Sequence, residues 1–289
     1  MFEKATRKQS KLRLLLSGPS GSGKTFSALQ LAKGIVPGGK IACIDTEHGS
    51  ASLYSDQADF SVLELSAPYS PEHYIEAINA AETAGFDLLI IDSITHEWNG
   101  KGGILEIHDT ITKTIAKGNS YTAWASVTPR HTAFVDRILQ SKIHIICTLR
   151  SKADFVLETN SHGKSTPRKV GMAGIQKDGI EYEFTTALDL SIEGNLATAS
   201  KDRTRLFRDP AVITVDTGTR LLAWLESGEA ATTTATVDES RKNILRDHAE
   251  LGIDALRTAW EALDAESKHR LGGAAFLEEL KNLAYGEQA

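Results

Sequence analysis

The sequence predicts an α/β fold: a mainly parallel sheet covered by helices, with a small helical module behind it. Three observations predict it. Short apolar runs alternate with segments of helical periodicity through the first three quarters of the chain. A loop rich in Gly and Ser, residues 18–25, joins one such run directly to a helical segment. A low-complexity stretch, residues 229–237 (EAATTTATV), separates all of this from a terminal segment whose apolar residues recur only at helical spacing.

The elements follow in order. Residues 12–17 (LRLLLS) read as a buried strand. Residues 25–33 read as a helix with Phe26, Leu29 and Ala32 on one stripe, stopped at Pro37-Gly38-Gly39. Residues 40–45 (KIACID) form a second strand. Residues 71–84 form a helix that turns Tyr74, Ile75, Ala77, Ile78 and Ala81 inward and ends at Gly85. A third strand covers 86–92 (FDLLIID). Residues 104–116 and 121–140 read as helices, the second broken near Pro129, and 143–148 (IHIICT) as a fourth strand. The polar, basic, Gly-rich stretch 151–179 predicts a long mobile loop of the kind usually tied to function. Residues 181–200 predict two strands turning at Glu193-Gly194-Asn195. A short strand at 211–215 and a helix at 219–226 close the core. The implied division is a tail (1–11), a core (12–227), a linker (228–238) and a helical module (239–289). Ile244, Leu245, His248, Leu256, Trp260, Leu263, Leu271, Phe276, Leu280 and Leu283 carry the periodicity of that module.

Composition narrows the class. The 289 residues are 41% hydrophobic and 24% charged, ordinary values for a globular protein. No apolar run approaches the ~20 residues of a membrane helix, and the polar start lacks the apolar stretch of a signal peptide, so the expected location is the cytoplasm. Cys43 and Cys147 each lie within an apolar run and read as small core residues. The net charge is −6, but its distribution is uneven. Residues 111–177 carry eleven Lys or Arg against three Asp or Glu, a net of +8. Residues 228–289 carry seven against twelve, a net of −5. A basic middle in an acidic chain predicts one face that meets polyanions.

The loop Gly18-Pro19-Ser20-Gly21-Ser22-Gly23-Lys24-Thr25 fits G-x-x-x-x-G-K-[ST] at every fixed position, between a strand and a helix as that motif requires. Its glycines let the backbone wrap around phosphates, and inward amides and the helix N-terminus bind their charge. Lys24 is expected to reach the β- and γ-phosphates of ATP, and the Thr25 hydroxyl to bind Mg²⁺. Asp92, at the tip of an apolar strand, has the placement of a second carboxylate beside the metal. Glu47 lies two residues past Asp45 at another strand tip, where a carboxylate can orient and deprotonate an attacking water. Asp45 competes for that role.

These residues resemble a family. Cys43-Ile-Asp-Thr-Glu-His48 is similar to the RecA-type segment in which a strand-end Asp precedes the catalytic Glu. Ile90-Ile-Asp-Ser93 resembles the RecA-type metal-binding strand with its trailing Ser. Residues 10–227 resemble the phage-encoded, core-only RecA-like ATPases, some of which anneal single strands. The resemblance implies a RecA-like P-loop core that hydrolyses ATP with Mg²⁺ and binds single-stranded DNA in recombination or annealing. It implies that Arg150 takes the place of a phosphate-sensing polar residue, a departure from the usual Gln or Asn. Lys201 and Arg203 resemble a Lys-x-Arg pair that reaches a neighbouring subunit's nucleotide, so the chain is expected to act as a homo-oligomer, ring or filament. Phe2-Glu-Lys-Ala5 matches an F-x-x-A docking peptide, and Phe184-Thr-Thr-Ala187 fits as well. DNA binding falls to residues 94–117 and 151–177, the latter with Lys152, Lys164, Arg168 and Lys169. Phe155, Trp98, Tyr121 and Trp124 are the aromatics near these loops. A single-strand-binding protein is a candidate further partner; a membrane is not.

Rival readings remain open at this point: a P-loop kinase whose lid is 151–177, a protein that uses ATP as a switch, and a ring helicase.

Overall fold

The computed structural model describes residues 9–114, 118–159, 165–228 and 234–286. The chain divides into two units, Met1–Gly228 and Glu229–Ala289.

In the first unit, strands β1 (Arg13–Gly18), β2 (Ile41–Asp45), β3 (Ser61–Glu64), β4 (Leu88–Asp92), β5 (His144–Thr159), β6 (Ser165–Gly174), β7 (Thr186–Leu190), β8 (Leu196–Asp202) and β9 (Ala211–Val212) form one sheet. The order is β3-β2-β4-β5-β1-β7-β8-β9, with β6 paired to β5 alone. Strands β3, β2, β4, β5, β1 and β7 run parallel; β8 and β9 close the edge in antiparallel pairs. Residues of β1, β2 and β4 alternate between two apolar layers, as period-two side chains must when both faces are covered. Leu14, Leu16, Cys43, Leu88 and Ile90 meet one layer, into which α1 (Lys24–Ile35) sends Ala28, Leu31 and Ile35. Leu15, Ala42, Ile44, Leu89 and Ile91 meet the other, filled by Tyr74 and Ile78 of α2 (Pro71–Thr83).

Two helices follow β4, α3 (Thr95–Asn99) and α4 (Ile104–Thr114), and then α5 (Ser120–Leu139). The last runs unbroken through Pro129, where the sequence predicts a break. An interior proline costs roughly 3 kcal/mol. Here it is offset by burial of Ala123, Val127, His131, Phe134 and Ile138 along one face. Helix α6 (Val215–Glu226) begins earlier than expected and packs on α1, with Leu221 and Leu225 buried.

Other expectations change as well. Strand β3 is absent from the sequence reading because it is a short outer edge with Ser61, Leu63 and Glu64 exposed, so it has no buried face to give it a pattern. The predicted loop at 151–179 is instead an antiparallel hairpin. Strand β5 continues past the parallel sheet to Thr159, and β6 returns beside it, with a register shift between Asp154 and Phe155. Backbone pairing holds a hairpin whose residue pattern carries no single apolar face. Phe26 does not join the inward stripe of α1: it is 37% exposed. Phe184 is core, so Phe184–Ala187 is no docking peptide; Phe2–Ala5 lies outside the described residues.

The second unit holds α7 (Thr234–Glu250), α8 (Ile253–Glu261), α9 (Ala265–Arg270) and α10 (Gly273–Gly286). Helix α7 begins inside the stretch read as linker. Leu245, Leu256, Leu271, Phe276 and Leu280 form the core of this unit, with Trp260 and Leu263 against it. Ile244 stands out of that core, 54% exposed. Among the described residues no helix is long and apolar enough to cross a membrane.

Candidate nucleotide site

The site is built at the carboxyl tips of parallel strands. Register places Gly18 beside Arg150, Asp45 beside Asp92, and Ile91 beside Cys147, so Asp92 stands next to Thr148. After β1 the chain turns through Gly21 and Gly23, both at φ +82°, the left-handed region that glycine enters without a Cβ clash. Gly23 caps α1, whose first residue is Lys24. The Lys24 amine donates to the carbonyls of Gly18 (2.9 Å) and Pro19 (2.8 Å), so the lysine folds back over its own loop.

Asp92 is buried, and its two oxygens are used separately. Oδ2 accepts from Thr25 Oγ1 at 2.6 Å, and Oδ1 from Thr148 Oγ1 at 2.5 Å. Burial pushes the Asp92 carboxyl up from the usual carboxylate range, against the pull of Thr148, Thr25 and the charge of Lys24. Burial likewise lowers the Lys24 ammonium, with Asp92 opposing it.

Asp45 does structural work. Its Oδ1 accepts from the Glu47 amide (2.6 Å) and its Oδ2 from the Ala51 amide (2.9 Å), and it is 1% exposed. It shapes the turn that presents Glu47. The Glu47 carboxylate accepts from Ser93 Oγ at 3.0 Å and forms an ion pair with Arg150. The corner after β4 is anchored by Thr46, whose hydroxyl accepts from the Ser93 amide at 2.9 Å, and by Tyr74, whose hydroxyl donates to the Ser93 carbonyl at 2.9 Å.

Lys24, Thr25, Glu47, Asp92 and Arg150 thus line one pocket of about 510 Å³, within the range of small-ligand sites. Phe26, Tyr54, Asn195, Val212 and Ile213 line it too, with the Phe26 and Tyr54 rings 6.3 Å apart. The sequence reading missed these residues, and it missed Thr148 and Ser93 as partners of Asp92 and Glu47. The exposed aromatic at the third position of the P-loop helix was the signal for Phe26; nothing local marks the others, which reach the site only through the sheet.

A family model described as an AAA domain matches residues 10–223. The chain belongs to that AAA-domain family. No curated protein matches the chain. The AAA domain is a P-loop nucleotide-binding unit on a RecA-like, mainly parallel α/β core, and the helices after it form the small C-terminal module.

The remaining sequence-predicted residues of the AAA domain lie elsewhere. Lys201 sits in β8 opposite Ala187, and its amine donates to the Tyr182 carbonyl; the Arg203 amide donates to the Thr185 carbonyl. Both therefore lie at the end of the sheet where the parallel strands begin, away from the pocket. Lys152 is exposed and pairs with Ala173 at the base of the hairpin. Arg168 and Lys169 occupy β6 opposite Val156 and Phe155, and Lys164 lies outside the described residues.

Trp98 and Trp124 stack on one another with ring centroids 5.9 Å apart, and Trp124 stacks on His108 at 4.2 Å. Beneath them the buried Glu97 bridges His131 Nδ1 (3.1 Å) and Gln176 Nε2 (3.1 Å). Trp98 and Trp124 thus pack within the core unit, while Tyr121 is 87% exposed.

Proposed function

We propose that this AAA domain hydrolyses ATP in an assembly of several copies on single-stranded DNA, in annealing or recombination. The observation that carries the ATPase part is the placement of the Glu47 carboxylate in one pocket with the Lys24 amine and the Thr25–Asp92 pair.

ATP is the substrate. The backbone amides of residues 21–25 and the N-terminus of α1 would hold its phosphates. Lys24 would leave the carbonyls of Gly18 and Pro19 for the terminal phosphates. Phe26 and Tyr54 offer the base an aromatic surface. Thr25 and Asp92 supply hard oxygens of the kind that, with phosphate oxygens, complete a Mg²⁺ shell; among the described residues no cluster of three or more His, Cys, Asp or Glu forms a metal cage. Mg²⁺ bound there supplies positive charge to the β- and γ-phosphates. Glu47 orients the attacking water and takes its proton. Lys201 and Arg203 of a neighbouring copy would complete the site.

DNA binding is supported by the net basic segment 111–177 and by continuity. Strand β5 carries Arg150 in the pocket and runs straight into the hairpin with Lys152, Arg168 and Lys169. Such cations bind phosphates without reading sequence.

The test is ATP turnover with and without single-stranded DNA at two salt concentrations. Stimulation that fades with salt is expected, as is loss of turnover in Lys24→Ala. A rate indifferent to DNA would overturn the DNA part and direct attention to a phosphoryl acceptor instead.

A further inference from the structure

Two opposite charges meet inside the pocket, and one of them, Glu47, has another task in the reaction proposed above. The Arg150 guanidinium is paired with Glu47 Oε2, while Ser93 Oγ holds Glu47 Oε1. Both carboxylate oxygens therefore already have protein donors. A water placed for attack would share a carboxylate whose basicity is already reduced by a charge-assisted bond, the stronger kind.

Arg150 is built to change partners. Its backbone is fixed within β5: its amide donates to Thr95 Oγ1 at 2.9 Å, and its carbonyl accepts from the Ile175 amide at 2.8 Å. Its side chain is half-exposed, on a long stem, with five N–H donors in a fork that suits carboxylate and phosphate equally. Register sets it directly beside Gly18, where the phosphate loop begins. A Gln or Asn at this position could sense a phosphate but could not hold Glu47 by charge.

We propose that Arg150 is a substrate-released latch: it holds Glu47 in the empty site and transfers to the terminal phosphate of ATP, which frees Glu47 to receive the water. No bond is made or broken; one ion pair replaces another. ADP has no γ-phosphate to draw Arg150 away, so the latch re-forms on the product. The inference rests on Glu47 being the base of an ATPase.

The latch makes a binding prediction that does not depend on turnover. Closing the pair stabilises the empty state, so breaking it must cost ATP affinity. Affinities for a non-hydrolysable ATP analogue and for ADP, each with Mg²⁺, would be measured calorimetrically for wild type, Glu47→Gln, Arg150→Gln and the double variant. Glu47→Gln is expected to tighten analogue binding by about tenfold, within the usual range for directly paired residues. The same substitution in the Arg150→Gln background should change it by less than about twofold, on the same reasoning. ADP affinity should be unchanged throughout, which also verifies that each variant is folded. A gain of equal size in both backgrounds would mean that Glu47 merely repels the phosphate, and would overturn the latch; so would the absence of any gain. Wild-type turnover is read separately, so an active ATPase without coupling defeats only the latch, and a chain that does not hydrolyse ATP defeats the function it rests on.

Discussion

His144 makes the stability of the core depend on pH in a calculable way. It opens β5 and is 6% exposed. The Leu12 amide donates to its Nδ1 at 3.1 Å, which requires that nitrogen to carry a lone pair, and Lys11 Nζ stands 3.5 Å from Nε2. Protonation would set N–H against N–H in a buried site beside two cations. Accordingly burial, then Lys11 and Arg13, lower its pKa from 6.5 to about 4, with Asp87 opposing. A depressed pKa contributes stability that is whole above 6.5 and lost as the pH falls toward 4. Integrating between the two values gives a loss of about 2 kcal/mol at pH 5 relative to pH 8, and about 3 kcal/mol once both states are protonated. His144→Asn keeps an acceptor near Nδ1 and cannot titrate. Urea unfolding followed by tryptophan fluorescence at pH 8 and pH 5 would give the difference between wild type and variant, in which the other titrating groups cancel. That difference should fall by about 2 kcal/mol on going to pH 5. A difference constant with pH would refute the assignment.

Three further substitutions probe how the site is supported. A Cβ on Gly34 would run into the Val215 carbonyl and lie 2.7 Å from the Thr219 amide, because α1 and α6 touch backbone to backbone there. Gly34→Ala should therefore lower stability by about 1–3 kcal/mol, read as the melting temperature, and weaken nucleotide binding because α1 carries the P-loop. Thr148→Val removes one of the two hydroxyl donors to the buried Asp92. It should raise the Mg²⁺ concentration needed for half-maximal nucleotide binding, by an amount set by a charge-assisted bond of about 1.5–3 kcal/mol; an unchanged Mg²⁺ dependence would dismiss Thr148. Buried Arg13 donates to the carbonyls of Leu12 (2.7 Å), Ile143 (2.8 Å) and Leu139 (3.3 Å), and to that of Ser141. Arg13→Met removes all of these bonds, although the Leu12 carbonyl keeps the Ile145 amide at 2.9 Å, and a loss of about 3 kcal/mol or more in urea unfolding is expected.

What was legible in the sequence follows from where the information is stored. The phosphate loop is contiguous, and its residue types are set by local backbone needs, so residues 18–25 could be read directly. Strands β1, β2, β4 and the start of β5 could be read because both faces are covered and most positions are buried and apolar. Strand β3 could not, since it buries almost nothing. Nor could the β5–β6 hairpin, whose Gly, Ser and basic residues match a loop in composition while its backbone satisfies itself by pairing. The partners of Asp92 and Glu47 were illegible for a different reason. Thr148 is 56 residues from Asp92, and Ser93 is 46 residues from Glu47. Only the sheet order makes them neighbours, and no local spacing encodes it.

The same sheet order constrains the cations at 201 and 203. Asn195 lines the pocket at the start of β8, which runs antiparallel to β7 and so carries the chain away from the strand tips. Six residues separate Asn195 from Lys201, and at about 3.3 Å per residue that is roughly 20 Å along the strand. No rotamer of lysine or arginine recovers that distance, whose long stems reach only a fraction of it. Arg150 therefore lines its own chain's pocket, and in the proposed assembly Lys201 and Arg203 would meet a nucleotide only in another copy. The two sets of cations then answer separate questions. On the proposed mechanism Arg150 would decide whether Glu47 is free, from within one chain, and the distant pair would report a neighbouring copy. A reaction that needed both would be silent in an isolated subunit without ATP for two independent reasons, one removed by ATP and the other by assembly.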